Sequence, residues 1–386
     1  MPLAVIGTVL LLLGAIAVAC GVLPVGDVVV LADRVVPVLG FAAPITVVSE
    51  LLTAAGLFDW IAGRIRRWGR GRAWLLWLLV CALAVVVTAF LSLDTTAVLL
   101  TPVVVVLARS TGLPPLPWAL STVWLANTAS LFLPISNLTN LLAAHRLDAS
   151  SPVALAARMA LPASIAVLVP LLVLAVVFRR ELGRRTGDAT GDAMPAPVAD
   201  RTLLAASALV LAALLPALVS GVAVWVPATA AALLLVVLFA VRRPRELTPR
   251  LVPWPLLLFA SGLFLAMAAA QRLGLQVLAD ALLGSGAGPA DLLRVAGAGA
   301  LGANVLNNLP AYLLLEPAAG SGTRLLALLI GVNAGALVTP WASLATLLWH
   351  DRLARMGIRV AWGGYVLLGL LVVPLAVGGA VLALVR

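Results

Sequence analysis

Acids are scarce in this chain, so the two that stand inside long apolar stretches are the first places to look for chemistry. Asp94 lies in SLDTTAVLLTP, between Leu93 and Thr95, and Glu50 lies in APITVVSELLTAAG. An unpaired carboxylate in such surroundings is costly, so each is expected to be paired, protonated or facing a cavity. A buried carboxyl that takes up and returns a proton is what proton coupling requires, and Asp94 and Glu50 are the candidates for it. Glu316, which follows YLLL and precedes Pro317, reads as interfacial.

Neutral polar residues gather in matched places. Ser136, Asn137, Thr139 and Asn140 form one cluster, with Asn127 upstream of it; Thr339, Ser343 and Thr346 form another, with Asn333 upstream. Asn307 and Asn308, with Asn304 just before them, precede Pro310, which has no N–H to donate and so frees a carbonyl at a bend lined by amides. Amides and hydroxyls are suited to holding a small hydroxylated solute or a partly dehydrated cation, which makes these residues, Asn304 excepted, the candidate substrate-binding set. The plainer reading is that they cap broken helices or bond helices together.

Other chemistries find little support. His145 and Asp148, and His350 and Asp351, come late in their segments without HxxxH spacing or converging cysteines, so no metal site is expected. Cys20 and Cys81 lie in or beside apolar segments and suggest no disulfide framework. The sequence has no Walker loop, GxSxG elbow or HExxH pair, so an enzyme is not expected, nor ATP hydrolysis within this chain, nor a cofactor.

The elements that must position these residues are membrane helices. The chain has 386 residues, of which 63% are apolar and only 10% charged, too little charge to cover a soluble surface. Apolar runs of spanning length recur from end to end, near 3–20, 38–62, 73–91, 95–109, 157–178, 202–219, 222–241, 251–270, 292–306 and 361–384. The first run has no basic region before it and reads as a retained span. Behind the formal charge of +10, arginines bunch in three places between hydrophobic segments: Arg64 to Arg72, Arg179 to Arg201, and Arg242 to Arg250. Short basic loops mark the cytoplasmic face and meet lipid head groups, and nucleic acid is not implied.

Two segments, 118–147 and 323–354, are apolar on average but broken by Asn, Ser, Thr and Pro, and are expected to be re-entrant hairpins or interrupted helices facing the interior. At a constant offset of 206, Asn127 meets Asn333, Pro134 meets Pro340, Asn137 meets Ser343, Asn140 meets Thr346 and Arg146 meets Arg352. Asp94 and the Asn307-Asn308 pair mark equivalent polar breaks upstream, as do Gly56-Leu57 and Gly274-Leu275. The span 38–62 runs into a basic loop while its partner 251–270 leaves one, so the repeats have opposite orientation. The expected fold is an all-α polytopic membrane protein of about 10–11 spans built from two inverted-topology repeats. The N-terminal repeat is 1–178, a basic linker and connecting helix occupy 179–221, and the C-terminal repeat is 222–386, with a cytoplasmic N-terminus and an external C-terminus.

The segments Ser92 to Arg109, Asn127 to Leu142, Pro253 to Leu265, Asn307 to Pro310 and Leu337 to Leu353 resemble the arsenical pump membrane protein family. That family lies in the ion-transporter superfamily with dicarboxylate, citrate and sodium/proton carriers. The resemblance runs from about Gly7 to Val385. It implies export of arsenite or antimonite across the cell membrane, by proton antiport or with an accessory arsenite-stimulated ATPase, and a homodimer. It places the acidic turn of the first half on Asp94 and the paired hairpin signatures on Ser136 to Asn140 and Ala342 to Thr346. The chain departs from the pattern at Asn127 and Asn333, where the typical pump has acids, and at Leu337, where it has lysine. A proton- or sodium-coupled carrier of small anions such as dicarboxylates, or a cation/proton antiporter, is the alternative expectation.

Overall fold

The computed structural model describes residues 2–147, 152–186 and 200–385. Asp148 and most of the basic linker fall outside them. The described chain is helical, its only extended pairing an isolated antiparallel bridge between Arg72 and Arg185. In order, the helices are α1 (Pro2–Ala19), α2 (Val25–Ala54), α3 (Leu57–Trp68), α4 (Ala73–Phe90), α5 (Leu93–Thr95), α6 (Thr101–Ser110), α7 (Leu116–Thr128), α8 (Leu138–Arg146), α9 (Pro152–Val177) and α10 (Arg179–Leu182). There follow α11 (Arg201–Val219), α12 (Trp225–Arg242), α13 (Trp254–Ala270), α14 (Gln276–Leu283), α15 (Pro289–Val305), α16 (Asn308–Ala319), α17 (Gly322–Ala334), α18 (Leu344–Arg355) and α19 (Trp362–Leu384). A π turn, Thr96–Leu100, joins α5 to α6, so that Leu93–Ser110 is one helix. Eight of the described helices are long and apolar enough to cross a membrane, and the protein is a polytopic membrane protein.

The order of elements recurs. A helix (α1, α12) is followed by one broken at a glycine of positive φ: Gly56 at 80° between α2 and α3, and Gly274 at 101° between α13 and α14. Next come two helices joined at a sharp polar turn, α4 to α5 and α15 to α16, then a helix broken in its middle, α7 to α8 and α17 to α18, and a last long helix, α9 or α19. The packing is reciprocal: α1 lies along α13 while α12 lies along α2, and α9 pairs with α19. Each series therefore completes its surface with the other.

Of the two forms expected for the segments 118–147 and 323–354, the structure has interrupted helices, and the helical hairpins are the preceding pairs, 73–110 and 289–319. The reason is local. At Ser92 (φ 147°) and Asn307 (φ 135°) the backbone enters a region that costs non-glycine residues about 1–3 kcal/mol. Each of the two side chains then caps the next helix, Ser92 Oγ accepting from Thr95 N at 3.2 Å and Asn307 Oδ1 from Leu309 N at 3.3 Å. The span read near 38–62 instead comprises α2, which starts at Val25, and part of the separate amphipathic helix α3.

The basic loops converge on one face. Arg72 pairs with Arg185, and Thr186 N donates to Gly71 O at 3.0 Å, which joins the first two clusters. Arg243 of the third donates to Ala54 O at the end of α2, at 3.1 Å. On the same face Arg109, near the end of α6, donates to Met356 O just past α18, at 2.8 Å. By contrast α8 ends at Arg146, which meets Arg34 near the start of α2 through a shared carboxylate. The downstream arms of the two broken helices thus run to opposite ends of α2.

The α1–α13 contact is backbone on backbone. A Cβ at Gly262 would strike Gly7 O and Leu11 N, and one at Gly7 would meet Phe259 N, so both glycines are needed for the approach. Gly262→Leu is expected to destabilise the protein by about 1–3 kcal/mol, read as a lower unfolding temperature in detergent, whereas Gly378→Leu, with open space around it, leaves the temperature unchanged.

Candidate functional site

The hairpin turns and the helix breaks meet in the interior. A cavity of about 60 Å³ is lined by Phe41, Ile45 and Thr46 of α2, by Ser92 and Asp94 at the first hairpin turn, by Asn137 and Leu138 at the first break, by Asn307 and Asn308 at the second turn, and by Leu344 at the second break. It adjoins a larger cavity of about 220 Å³, with Thr46, Ser92, Asp94, Leu256 and Leu344 common to both walls. The larger one adds Ser49, Glu50, Thr95, Pro253 and Pro255, and so runs toward the basic third loop.

Asp94 sits in the first turn of the helix that opens at Ser92, where the free N–H groups favour negative charge. It faces both cavities, and among the described residues no cation pairs with it. Thr95 beside it donates to Ser49 Oγ at 3.0 Å, which ties the hairpin turn to α2. Glu50 faces the larger of the two cavities only. Neither cavity is lined by Arg or Lys among the described residues. The walls offer two carboxyls, amides and hydroxyls on an apolar ground.

Most of the other expected site residues serve the breaks. Asn333 of α17 crosses to the first break: its Oδ1 accepts from Asn137 Nδ2 at 2.7 Å and from Thr139 Oγ1 at 3.3 Å, and its Nδ2 donates to Asn140 Oδ1 at 2.9 Å. Asn140 Nδ2 in turn donates to Ser130 O at 2.6 Å and to Leu133 O at 3.3 Å, carbonyls at the break of the helix, the second of which also accepts from Ser136 N. Ser136 Oγ donates to Ala89 O near the end of α4 at 2.8 Å. Asn127 donates to Val123 O at 2.9 Å, while its buried Oδ1 has no partner. Of the first cluster, only Asn137 lines the cavity.

At the second break the support is different. Asn304 Oδ1 accepts from Val338 N and Thr339 N, at 3.2 and 2.9 Å, and its Nδ2 donates to Gly335 O at 2.7 Å. Thr339 Oγ1 donates to Asn304 O at 2.9 Å, so Thr339 is part of this brace. Asn307 Nδ2 donates to Trp341 O at 2.9 Å and Asn308 N to Ala342 O at 2.8 Å. Ser343 Oγ caps α18 by accepting from Thr346 N at 3.1 Å and lies 2.9 Å from Thr346 Oγ1. These residues hold Leu344 at the cavity wall.

Sequence reasoning passed over Asn304 as a site residue and placed Glu316 at an interface. Glu316 is only 2% exposed, and Arg34 and Arg146 both pair with it while Tyr312 donates to it at 2.7 Å. The signal was present in the apolar run YLLL before it. Its partners lie 282 and 170 positions away in the chain, where spacing cannot reveal them. His350 stacks against Trp362, with ring centroids 4.8 Å apart.

Removing the Asn304 brace leaves the half-buried N–H groups of Val338 and Thr339 unpaired, at up to about 1–3 kcal/mol for each group. Asn304→Ala is therefore expected to lower the unfolding temperature in detergent more than Asn307→Ala, whose side chain accepts from one N–H and donates to one carbonyl where Asn304 accepts from two and donates to two.

The sequence model of the citrate transporter family matches residues 3–323. An arsenical pump membrane protein of Yersinia enterocolitica is 31% identical over 381 residues, covering 92% of this chain and 88% of the relative. One from Escherichia coli is 29% identical over 375 residues, at 92% and 87% coverage, and one from Shigella flexneri is 28% identical over 381 residues, at 93% and 88%. With the polytopic helical fold and the paired broken helices, these likenesses extend over nearly the whole length, and this chain belongs to the arsenical pump membrane protein family, within the ion-transporter superfamily.

Proposed function

We propose that this membrane transporter exports arsenite or antimonite across the cell membrane in exchange for protons, by alternating access between two inverted repeats. The observation that carries the reading is Asp94: a carboxyl at a hairpin turn, facing the interior cavity with no cation paired to it. A group so placed binds a proton or a solute in turn, and what it binds has access to it through the cavity. Arsenite at neutral pH is an uncharged trihydroxide. It asks for hydrogen-bond donors and acceptors, which Asn137, Asn307, Asn308, Ser92 and Thr46 supply around Asp94. The lack of Arg and Lys on the walls disfavours the dicarboxylate alternative, since a doubly charged anion would have no counter-charge there.

Residues 1–178 and 222–386 act in this reading as the two repeats, with 179–221 between them. The convergence of the basic loops supports a cytoplasmic N-terminus and an external C-terminus. The opposite courses of α8 and α18 support the inversion. Asn127, Ser136, Thr139, Asn140, Asn333, Thr339, Ser343 and Thr346 act on the solute through the backbone they position, and Glu50 is a second carrier of protons on the route from the basic face. Asn127 and Asn333, in place of acids, leave Asp94 and Glu50 to carry the coupling. Coupling to an ATPase subunit and assembly as a homodimer are compatible with this scheme and form no part of it.

The test is arsenite uptake by everted membrane vesicles containing this protein alone, with an acid-inside gradient. Uptake is expected, to be abolished by collapsing the gradient, and to fall about tenfold or more in Asp94→Asn, equivalent to about 1.4 kcal/mol, with a smaller loss in Glu50→Gln. No uptake by folded protein would reject arsenite as the solute. Uptake that ignores the gradient would reject proton exchange.

A further inference from the structure

The central cavity adjoins the larger cavity on its basic-loop side, with five wall residues in common, and shares no wall residue with the cavity on the other side. The reason lies in three helices that wall it. Phe41 and Thr46 of α2, Leu138 and Leu141 of α8, and Asn308 and Leu309 of α16 all line the cavity. Followed away from the basic face, α2 leads to Arg34, α8 to Arg146 and α16 to Glu316, each one to two turns or so beyond the wall, roughly 10 Å along the helix. There the three side chains meet. Arg34 Nη2 and Glu316 Oε1 pair directly, Arg146 Nε lies 3.5 Å from the same oxygen, and Arg34 Nη2 also donates to Leu142 O of α8 at 3.3 Å. Tyr312, fully buried one turn before Glu316, donates to that oxygen as well. A separate cavity lies against the trio and shares no wall residue with the central one.

We propose that Arg34, Glu316 and Arg146 are the gate that closes the central cavity on the face away from the basic loops, and that solute leaves when this three-way ion pair parts. A buried carboxylate in apolar surroundings must keep its partners, so three helices that share one carboxylate move apart only if its charge finds others, as it does when water enters between them. The two faces differ in this respect. Glu316 stands nine residues after the cap Asn307, and the residue nine after the equivalent cap Ser92 is Thr101, which bonds to Thr122 within its own half. No equivalent trio closes the basic side among the described residues, and the cavity runs that way. The exposed pair Asp27–Arg272, also distant from the basic loops, joins α2 to the turn after α13 and touches neither α8 nor α16.

The inference rests on the carrier reading only in that release requires the gate to open; its test needs no solute. Thr46, whose hydroxyl among the described residues bonds to Ala42 O within its own helix, lines both adjoining cavities and makes a near-isosteric reporter as Thr46→Cys, with Cys20 and Cys81 replaced by serine and alanine. A membrane-impermeant thiol reagent applied to everted vesicles is expected to label the reporter from the basic-loop face. Applied to intact spheroplasts it is expected to label it slowly. Glu316→Gln and Arg34→Gln are each expected to raise spheroplast labelling about tenfold or more, equivalent to a shift of about 1.4 kcal/mol toward the open gate. Arg146→Gln, which removes the longer contact, gives a smaller rise, and Arg34→Lys, which keeps the charge, preserves protection. Continued labelling from the basic face reports that each variant is folded. Spheroplast labelling that stays slow in Glu316→Gln and in Arg146→Gln overturns the proposal, as does an equal rise in Arg272→Gln. Loss of arsenite uptake with gating intact would instead count against the choice of solute.

Discussion

Backbone polar groups inside a lipid-facing fold cannot look to bulk water, and every structural decision around the cavity answers to that constraint. A helix broken at membrane depth leaves free N–H and C=O groups on both sides of the break. At the first break Asn140 takes up two of the carbonyls and Asn137 caps the helix that follows. At the second, the work falls to Asn304, which reaches from α15 to bond both N–H and C=O groups of the loop. Polar side chains are few in this chain, and those near the cavity are spent largely on making irregular backbone tolerable. A small set from the same turns, Asp94, Asn137, Asn307 and Asn308, also lines the cavity.

The two halves repeat in architecture and diverge in chemistry. Each has a glycine break, a capped hairpin turn and an interrupted helix, and each helix pair is completed by the other half. Yet with the caps Ser92 and Asn307 aligned, Asp94 has its counterpart in Leu309, and Glu316 in Thr101. A symmetric scaffold lets the same motion serve both faces, while asymmetric side chains give the faces different tasks. Here the carboxyl that meets the cavity belongs to the first half, and the carboxyl that holds the far side shut belongs to the second.

Rigidity is distributed in the same way. Close glycine contacts fix α1 against α13, and the Asn333 amide fixes α17 against the first break. The gate, by contrast, relies on ion pairs whose arginines are 18% and 36% exposed, partners that water can reach and replace. An interaction that holds in a dry state and yields in a wet one suits a contact that has to open, whereas glycine packing does not weaken when water arrives.

The sequence by itself determined the membrane class, the pairing of polar breaks and the offset of 206, because composition and periodicity are local properties and survive being read one residue at a time. It also singled out Asp94 and Glu50 as acids that must be paired, protonated or facing a cavity, and the tertiary structure decided for the cavity. It did not distinguish hairpin from interrupted helix. Both look like an apolar run with a polar middle, and the choice turns on backbone angles at Ser92 and Asn307. Nor did it separate residues that face the cavity from those that brace it, as Asn137 and Asn140 are equally polar and three positions apart. Only the tertiary structure set Glu316 between Arg34 and Arg146, because that contact joins three distant helices and exists only once they have packed.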